Sequence, residues 1–128
     1  MKKISIKAFK EIVQGDTPVL VDFYADWCGP CKTLLPILED VEMHYGEKLK
    51  VLRVNVERSE DLSRKYSIFS VPTMMLFNKG KQEWKVAGVR SKNEIIKVVN
   101  KTLGIVPEPK PKGEGMISKL MKGMGLKK

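Results

Sequence analysis

The 128-residue chain predicts an α/β fold: a mixed central β-sheet, made of a βαβ unit and a ββα unit, flanked by helices on both faces. Three observations carry this. Two short, nearly continuous apolar runs, 19–24 and 51–56, bracket a segment whose apolar residues recur three or four apart. Such runs read as strands buried on both faces, and strand–helix–strand implies parallel pairing through a right-handed crossover. Further on, residues 73–77 and 83–87 flank Asn78-Lys79-Gly80, the pattern of a hairpin. A capping-box segment then opens a last amphipathic helix.

Each element has its own signal. Ile6, Phe9, Ile12 and Val13 stand at helical spacing over residues 5–14, with Gly15 as the stop. Pro18 precedes the first strand, whose one polar interruption is Asp22. From Cys31 to His44, Leu34, Leu38, Val41 and Tyr45 line one helical face. Pro36 lies inside this helix and is expected to bend it, because it removes a hydrogen bond and crowds the preceding turn. Ser59 caps a short helix running to Tyr66. Ser91 and Glu94 have capping-box spacing, Ile95, Ile96, Val99 and Leu103 follow at helical intervals, and Gly104 ends the helix.

Composition sets the frame. Apolar residues make up 42% and charged residues 30%, ordinary for a globular chain with one core. Residues 1–104 read as one folded domain, 105–115 as a proline-rich linker and 116–128 as a basic amphipathic tail. The net charge of +9 is uneven: the first 104 residues hold 18 basic and 13 acidic side chains, the last 24 hold 6 and 2. A positive field favours acidic protein surfaces or anionic membranes. No basic cluster is interleaved with aromatics, so nucleic acid is not an expected partner. Lys2 and Lys3 precede no long apolar run, and no window approaches a membrane span, so the expected compartment is the cytoplasm.

The only two cysteines, Cys28 and Cys31, lie in Trp27-Cys28-Gly29-Pro30-Cys31-Lys32, where the first strand gives way to the helix. A C-x-x-C pair there reads as redox-active or metal-binding. Disulfide exchange needs a thiolate, and the unpaired amides and dipole of a helix N-terminus stabilise negative charge. Cys31, one turn on, is close enough to close a disulfide, and Gly29-Pro30 suits a tight entry into a helix. In this reading Cys28 is exposed and attacks a substrate disulfide, and recessed Cys31 resolves the mixed disulfide. The competing reading, a metal site, has only two ligands here, with the lone His44 at the far end of the helix. Asp22 has apolar neighbours on both sides; buried behind the dithiol rather than facing solvent, it would hold a proton and serve, through a water, as acid and base for Cys31. Val71-Pro72-Thr73 reads by itself as punctuation before a strand.

With these residues in view the chain resembles the thioredoxin family. The resemblance rests on Val21-Asp22-Phe23, the Trp27–Lys32 stretch, Pro36, Val71-Pro72-Thr73, Phe77-Asn78-Lys79-Gly80 and Gly88, in order, over about residues 4–103. It implies a thioredoxin fold with five strands in its sheet and a cis Val71–Pro72 bond facing the dithiol. The Val71 backbone would pair with an extended client segment, and Trp27, Pro72 and Gly88 would form the docking surface. Gly29, Pro30, Lys32 and Arg53 would support the redox site. The implied activity is protein disulfide reduction, with no bound cofactor beyond the Cys28–Cys31 disulfide. Electrons would come from a thioredoxin reductase, flavin/NADPH- or ferredoxin-linked, and pass to disulfide-containing clients in cellular redox homeostasis. Gly-Pro is the reducing-type spacer, unlike the Gly-His of isomerases. Arg53 departs from the lysine usual in the family, and its fixed charge is expected to hold Asp22 ionised more firmly.

Two alternatives remain at this stage: an isomerase or oxidase using the same dithiol, and a binding module in which the cysteines are dispensable. The tail stands apart. Met116, Ile117, Leu120, Met121 and Met124 fall within about 140° of a helical wheel. That pattern suits a membrane surface or partner, but the segment is short and holds Gly123 and Gly125, so a flexible solubilising extension is the expected reading.

Overall fold

A computed structural model describes residues 3–105. The proposed linker beyond Ile105 and the tail at 116–128 lie outside the described residues. In chain order the elements are α1 (Ile6–Val13), β1 (Val19–Tyr24), α2 (Gly29–Tyr45), a 3₁₀ turn (Gly46–Lys48), β2 (Lys50–Asn55), α3 (Glu60–Lys65), β3 (Thr73–Asn78), β4 (Lys81–Ala87) and α4 (Lys92–Leu103). The sheet order is β2-β1-β3-β4. β1 and β2 are parallel, with Asp22 opposite Arg53. β3 runs antiparallel to both β1 and β4.

Side-chain alternation along the central strands divides the core into two layers. Leu20 of β1 and Met74 and Leu76 of β3 pack on Leu34, Leu38 and Val41 of α2 and on Ile95 and Val99 of α4. Val19, Val21, Phe23, Met75 and Phe77 turn the other way, onto Phe9 and Val13 of α1 and Leu62 of α3. β1 is buried along its whole length, which is why its sequence lacks the polar alternation of a half-exposed strand. Each fully buried Leu or Phe contributes about 1.5–3 kcal/mol relative to exposure. The Tyr45 hydroxyl donates to Asn100 Oδ1 at 2.6 Å and ties α2 to α4. The edge strand β4 keeps Lys81 and Lys85 exposed, charges that discourage further strand pairing.

Several expectations need correction in detail. The sheet has four strands among the described residues, not five: residues 3–5, before α1, are in no strand. Helix α2 begins at Gly29 rather than Cys31, because proline fits the first helical turn without losing a bond, and it runs on through Pro36. Ser59 occupies the N-cap position of α3 but makes no cap bond; its Oγ accepts the Ile4 N–H at 3.0 Å. Ser91 does cap α4, accepting from Glu94 N at 3.2 Å. The Glu94 carboxylate pairs instead with Arg90 Nε, also at 3.2 Å. The hairpin turn carries positive φ at both Lys79 (52°) and Gly80 (85°).

Candidate active site at the Cys28–Cys31 pair

The C-terminal end of β1 delivers the chain into the N-terminus of α2, and there Cys28 and Cys31 are joined by a disulfide with their Cα atoms 5.3 Å apart. Cys28 is the N-cap of α2: its Sγ accepts the Cys31 N–H at 3.1 Å. The same Sγ lies 3.6 Å from the Val71 carbonyl oxygen, to which a reduced thiol would donate. Tyr24, Ala25, Val56 and Val71 complete the apolar surround. The expected contrast of exposed Cys28 and recessed Cys31 does not hold with the disulfide closed: the residues are 3% and 1% exposed. The two sulfurs differ instead in polar environment, since Cys28 carries the cap bond and faces Val71.

The Val71–Pro72 peptide bond is cis, as the resemblance implied and the residue pattern alone did not. The Pro72 carbonyl accepts the Gly88 N–H at 2.8 Å, which joins the loop before β3 to the end of β4. Gly88 has φ +95°, where a side chain is strained, and a Cβ there would meet Arg90 Nη1 at 3.3 Å. Trp27, next to Cys28 in the chain, is 70% exposed, and its Nε1 donates to Glu57 Oε2 at 3.1 Å. Gly29, Pro30 and Lys32 lie exposed on the first turn of α2.

Asp22 is fully buried, on the face of β1 shared with Leu20, the side covered by α2. Arg53 Nε donates to its Oδ2 at 3.2 Å, while Oδ1 has no hydrogen-bond partner. Burial raises the Asp22 pKa, and the Arg53 hydrogen bond and charge, which act to lower it, do not cancel that effect. The expectation that arginine holds this carboxylate ionised is therefore half right: the pull exists, and desolvation outweighs it. Arg53 is itself seated on Tyr24, its Cζ 3.8 Å from the ring centroid.

Glu57 and Tyr24 were not singled out by sequence. Asn55, 4% exposed, shapes the turn that presents Glu57, its Oδ1 accepting the Glu57 N–H at 2.9 Å and the Arg58 N–H at 3.3 Å. An Asn two residues before a charged pair was the one available hint of that turn. His44 sits at the far end of α2 against the Tyr45 ring, centroids 4.7 Å apart. Among the described residues no group of three or more His, Cys, Asp or Glu side chains is placed to hold a metal ion. A hollow of about 370 Å³ between β4 and α4 is lined by Glu83, Trp84, Val98, Lys101 and Thr102, and none of these borders the sulfurs. A groove of about 160 Å³ is lined by Trp27, Val56, Ile68, Phe69, Ser70 and Val71, of which Val56 and Val71 pack against the disulfide.

Comparison with known proteins agrees with this geometry. The thioredoxin family model matches residues 1–101. A thioredoxin of Rickettsia felis is 42% identical over 94 residues, 73% of this chain and 90% of the relative. A thioredoxin of Pseudomonas aeruginosa is 41% identical over 86 residues, 67% of this chain and 80% of its own length. The oxidised crystal structure of mitochondrial thioredoxin 3 from Saccharomyces cerevisiae shares the fold, with TM-score 0.70 at 24% identity over 79% of this chain and 94% of that one. With a helix-capped disulfide opposite a cis-proline and a family match across nearly all the described residues, this chain belongs to the thioredoxin family and is a thiol–disulfide oxidoreductase, a protein disulfide reductase.

Proposed function

We propose that Cys28 is the attacking sulfur, Cys31 the resolving one, and Asp22 the group that takes the Cys31 proton. The observation that carries this is the cap bond: an amide N–H at 3.1 Å from Cys28 Sγ, at a helix N-terminus, stabilises negative charge on that sulfur. The Cys28 thiolate attacks one sulfur of a client disulfide, forming a mixed disulfide and releasing the other client sulfur as a thiolate. Cys31 then gives its proton to the Asp22 carboxylate, through water, and attacks Cys28 Sγ. The Cys28–Cys31 disulfide forms, and the second client sulfur leaves. Two electrons pass from the dithiol to the client, whose thiolates take up two protons, one by way of Asp22. Trp27, Val71, Pro72 and Gly88 receive the client segment; the Val71 carbonyl, 3.6 Å from Cys28 Sγ, supports this by putting that backbone beside the attacking sulfur. Gly29, Pro30 and Lys32 shape the first turn of α2, and Arg53 positions Asp22.

A reductase and disulfide-bearing clients are the partners that family membership implies. The proposed setting is the cytoplasm, with electrons from a flavin/NADPH- or ferredoxin-linked thioredoxin reductase. Insulin-disulfide reduction with each reductase tests activity and electron source together. Turnover with one of them supports the reading; turnover with neither, when the dithiol is reduced by dithiothreitol and functional, overturns the electron source. A reduction potential near the about −270 mV usual for thioredoxins supports a reductase, and one near about −180 mV an isomerase. Contact of residues 116–128 with an anionic membrane is a separate proposal, resting on their basic amphipathic pattern. Equal recovery in the supernatant after liposome co-sedimentation, with and without residues 105–128, removes it.

A further inference from the structure

Phe69 is 93% exposed, more than any other large apolar side chain among the described residues. A single exposed apolar residue needs no explanation by itself. Its setting does. The loop that carries Phe69 is fixed on both sides. Lys85 Nζ donates to the carbonyls of Tyr66 and Ser67 at 2.7 and 3.2 Å. Ile68 N donates to Ser63 O at 2.9 Å, and Thr73 Oγ1 to Ser70 O at 2.7 Å. Ser67 sits at φ +56°, a left-handed conformation that non-glycine residues seldom adopt. A strained, well-bonded loop thus holds an aromatic ring out in solvent.

That ring forms one wall of a groove whose other walls include Trp27 and two residues packed on the disulfide, Val56 and Val71. Val71 links the groove to the chemistry, because its carbonyl lies 3.6 Å from Cys28 Sγ. At about 160 Å³ the groove is well below the about 300 Å³ at which small-molecule sites begin. It suits one side chain of a protein client. Successive Cα atoms are about 3.8 Å apart, so the residue beside a client cysteine engaged at Cys28 reaches it.

We propose that Phe69 is a specificity-determining residue: with Trp27 it grips an apolar side chain next to the client's disulfide cysteine, so that clients carrying one are reduced in preference. The proposal rests on Cys28 as the attacking sulfur. Because the loop is already ordered, little freedom is lost when the client packs against the ring.

The test uses the full chain, pre-reduced, and two disulfide peptides identical except for leucine or serine beside the attacked cysteine. Rates are normalised to the reduction of each peptide by dithiothreitol. The wild-type leucine-to-serine rate ratio is expected to be about tenfold, the low end for one apolar group in a pocket open on one side. Phe69→Ala lowers the ratio to about twofold or less, and Phe69→Leu keeps more than half of it. Loss of general reactivity lowers both rates and leaves the ratio alone. A wild-type ratio near one, or a tenfold ratio surviving Phe69→Ala, overturns the proposal. Reduction of neither peptide by any of the three proteins overturns the assignment of Cys28, and the proposal with it.

Discussion

Replacing Asp22 with alanine will stabilise the oxidised protein at about pH 8, and that gain will shrink as the pH falls. Asp22 is fully buried, Oδ1 has no partner, and Arg53 Nε reaches only Oδ2. Desolvation is the largest influence on the carboxyl and raises its pKa above 3.8 despite Arg53. In the acid range the folded state therefore holds a proton that the unfolded state has already released. Stability falls as the pH rises from 3.8 through the folded pKa, and above that the full cost of the buried charge remains. An unsatisfied buried polar group costs about 1–3 kcal/mol, so Asp22→Ala gains about that much at high pH. Each kcal/mol raises Tm by about 4–8 °C in a domain near 100 residues. The small cavity left by the truncation is independent of pH, so the difference between high and low pH isolates the charge. Urea unfolding of both oxidised proteins across about pH 4–8 reads it directly. A gain equal at both ends, or a loss at high pH, would refute the view that burial outweighs Arg53.

Three other outcomes follow from the same geometry. Arg53→Met removes the only two influences that lower the Asp22 pKa, so the carboxyl-carbon titration of Asp22 moves upward; an unchanged titration contradicts the ion pair. Asp22→Asn leaves attack by Cys28 in place and slows resolution by Cys31 up to about 10²-fold, the low end for a proton transfer made through water. In rapid-quench experiments the mixed disulfide then accumulates, and its absence counts against the role. Gly88→Ala costs about 1–2 kcal/mol in thermal or urea unfolding, because φ +95° disfavours a side chain. A neutral result would show that the β4 end relaxes at no cost.

What could be read in the sequence was what depends on local pattern. β1 and β3, buried on both faces, lack the alternation that would blur them, and the stripe of α2 is set by Leu34, Leu38 and Val41. Asp22 was legible because a lone carboxylate in a buried apolar run needs a reason. The features that local residue pattern does not carry depend on segments distant in sequence. The cis bond at Pro72 is fixed in a loop tied to Gly88, and nothing in Val71-Pro72-Thr73 distinguishes it from a trans turn. The partner of Ser59 is Ile4, fifty-five residues away, so its local capping role was overestimated. Glu57 and Phe69 matter only because the loops after β2 and α3 meet beside Trp27. Even the asymmetry of the sulfurs was misplaced: it lies in the hydrogen bond at Cys28 rather than in exposure.

The division of labour between the two sulfurs is tested most directly by trapping. Reduced Cys31→Ser and Cys28→Ser proteins are each mixed with oxidised insulin and the adducts mapped by mass spectrometry. Cys31→Ser is expected to accumulate a mixed disulfide on Cys28, and Cys28→Ser to form little or none, since the N-terminal amide that stabilises the attacking sulfur faces Cys28. Equal or faster trapping on Cys31 in the Cys28→Ser protein would contradict the account.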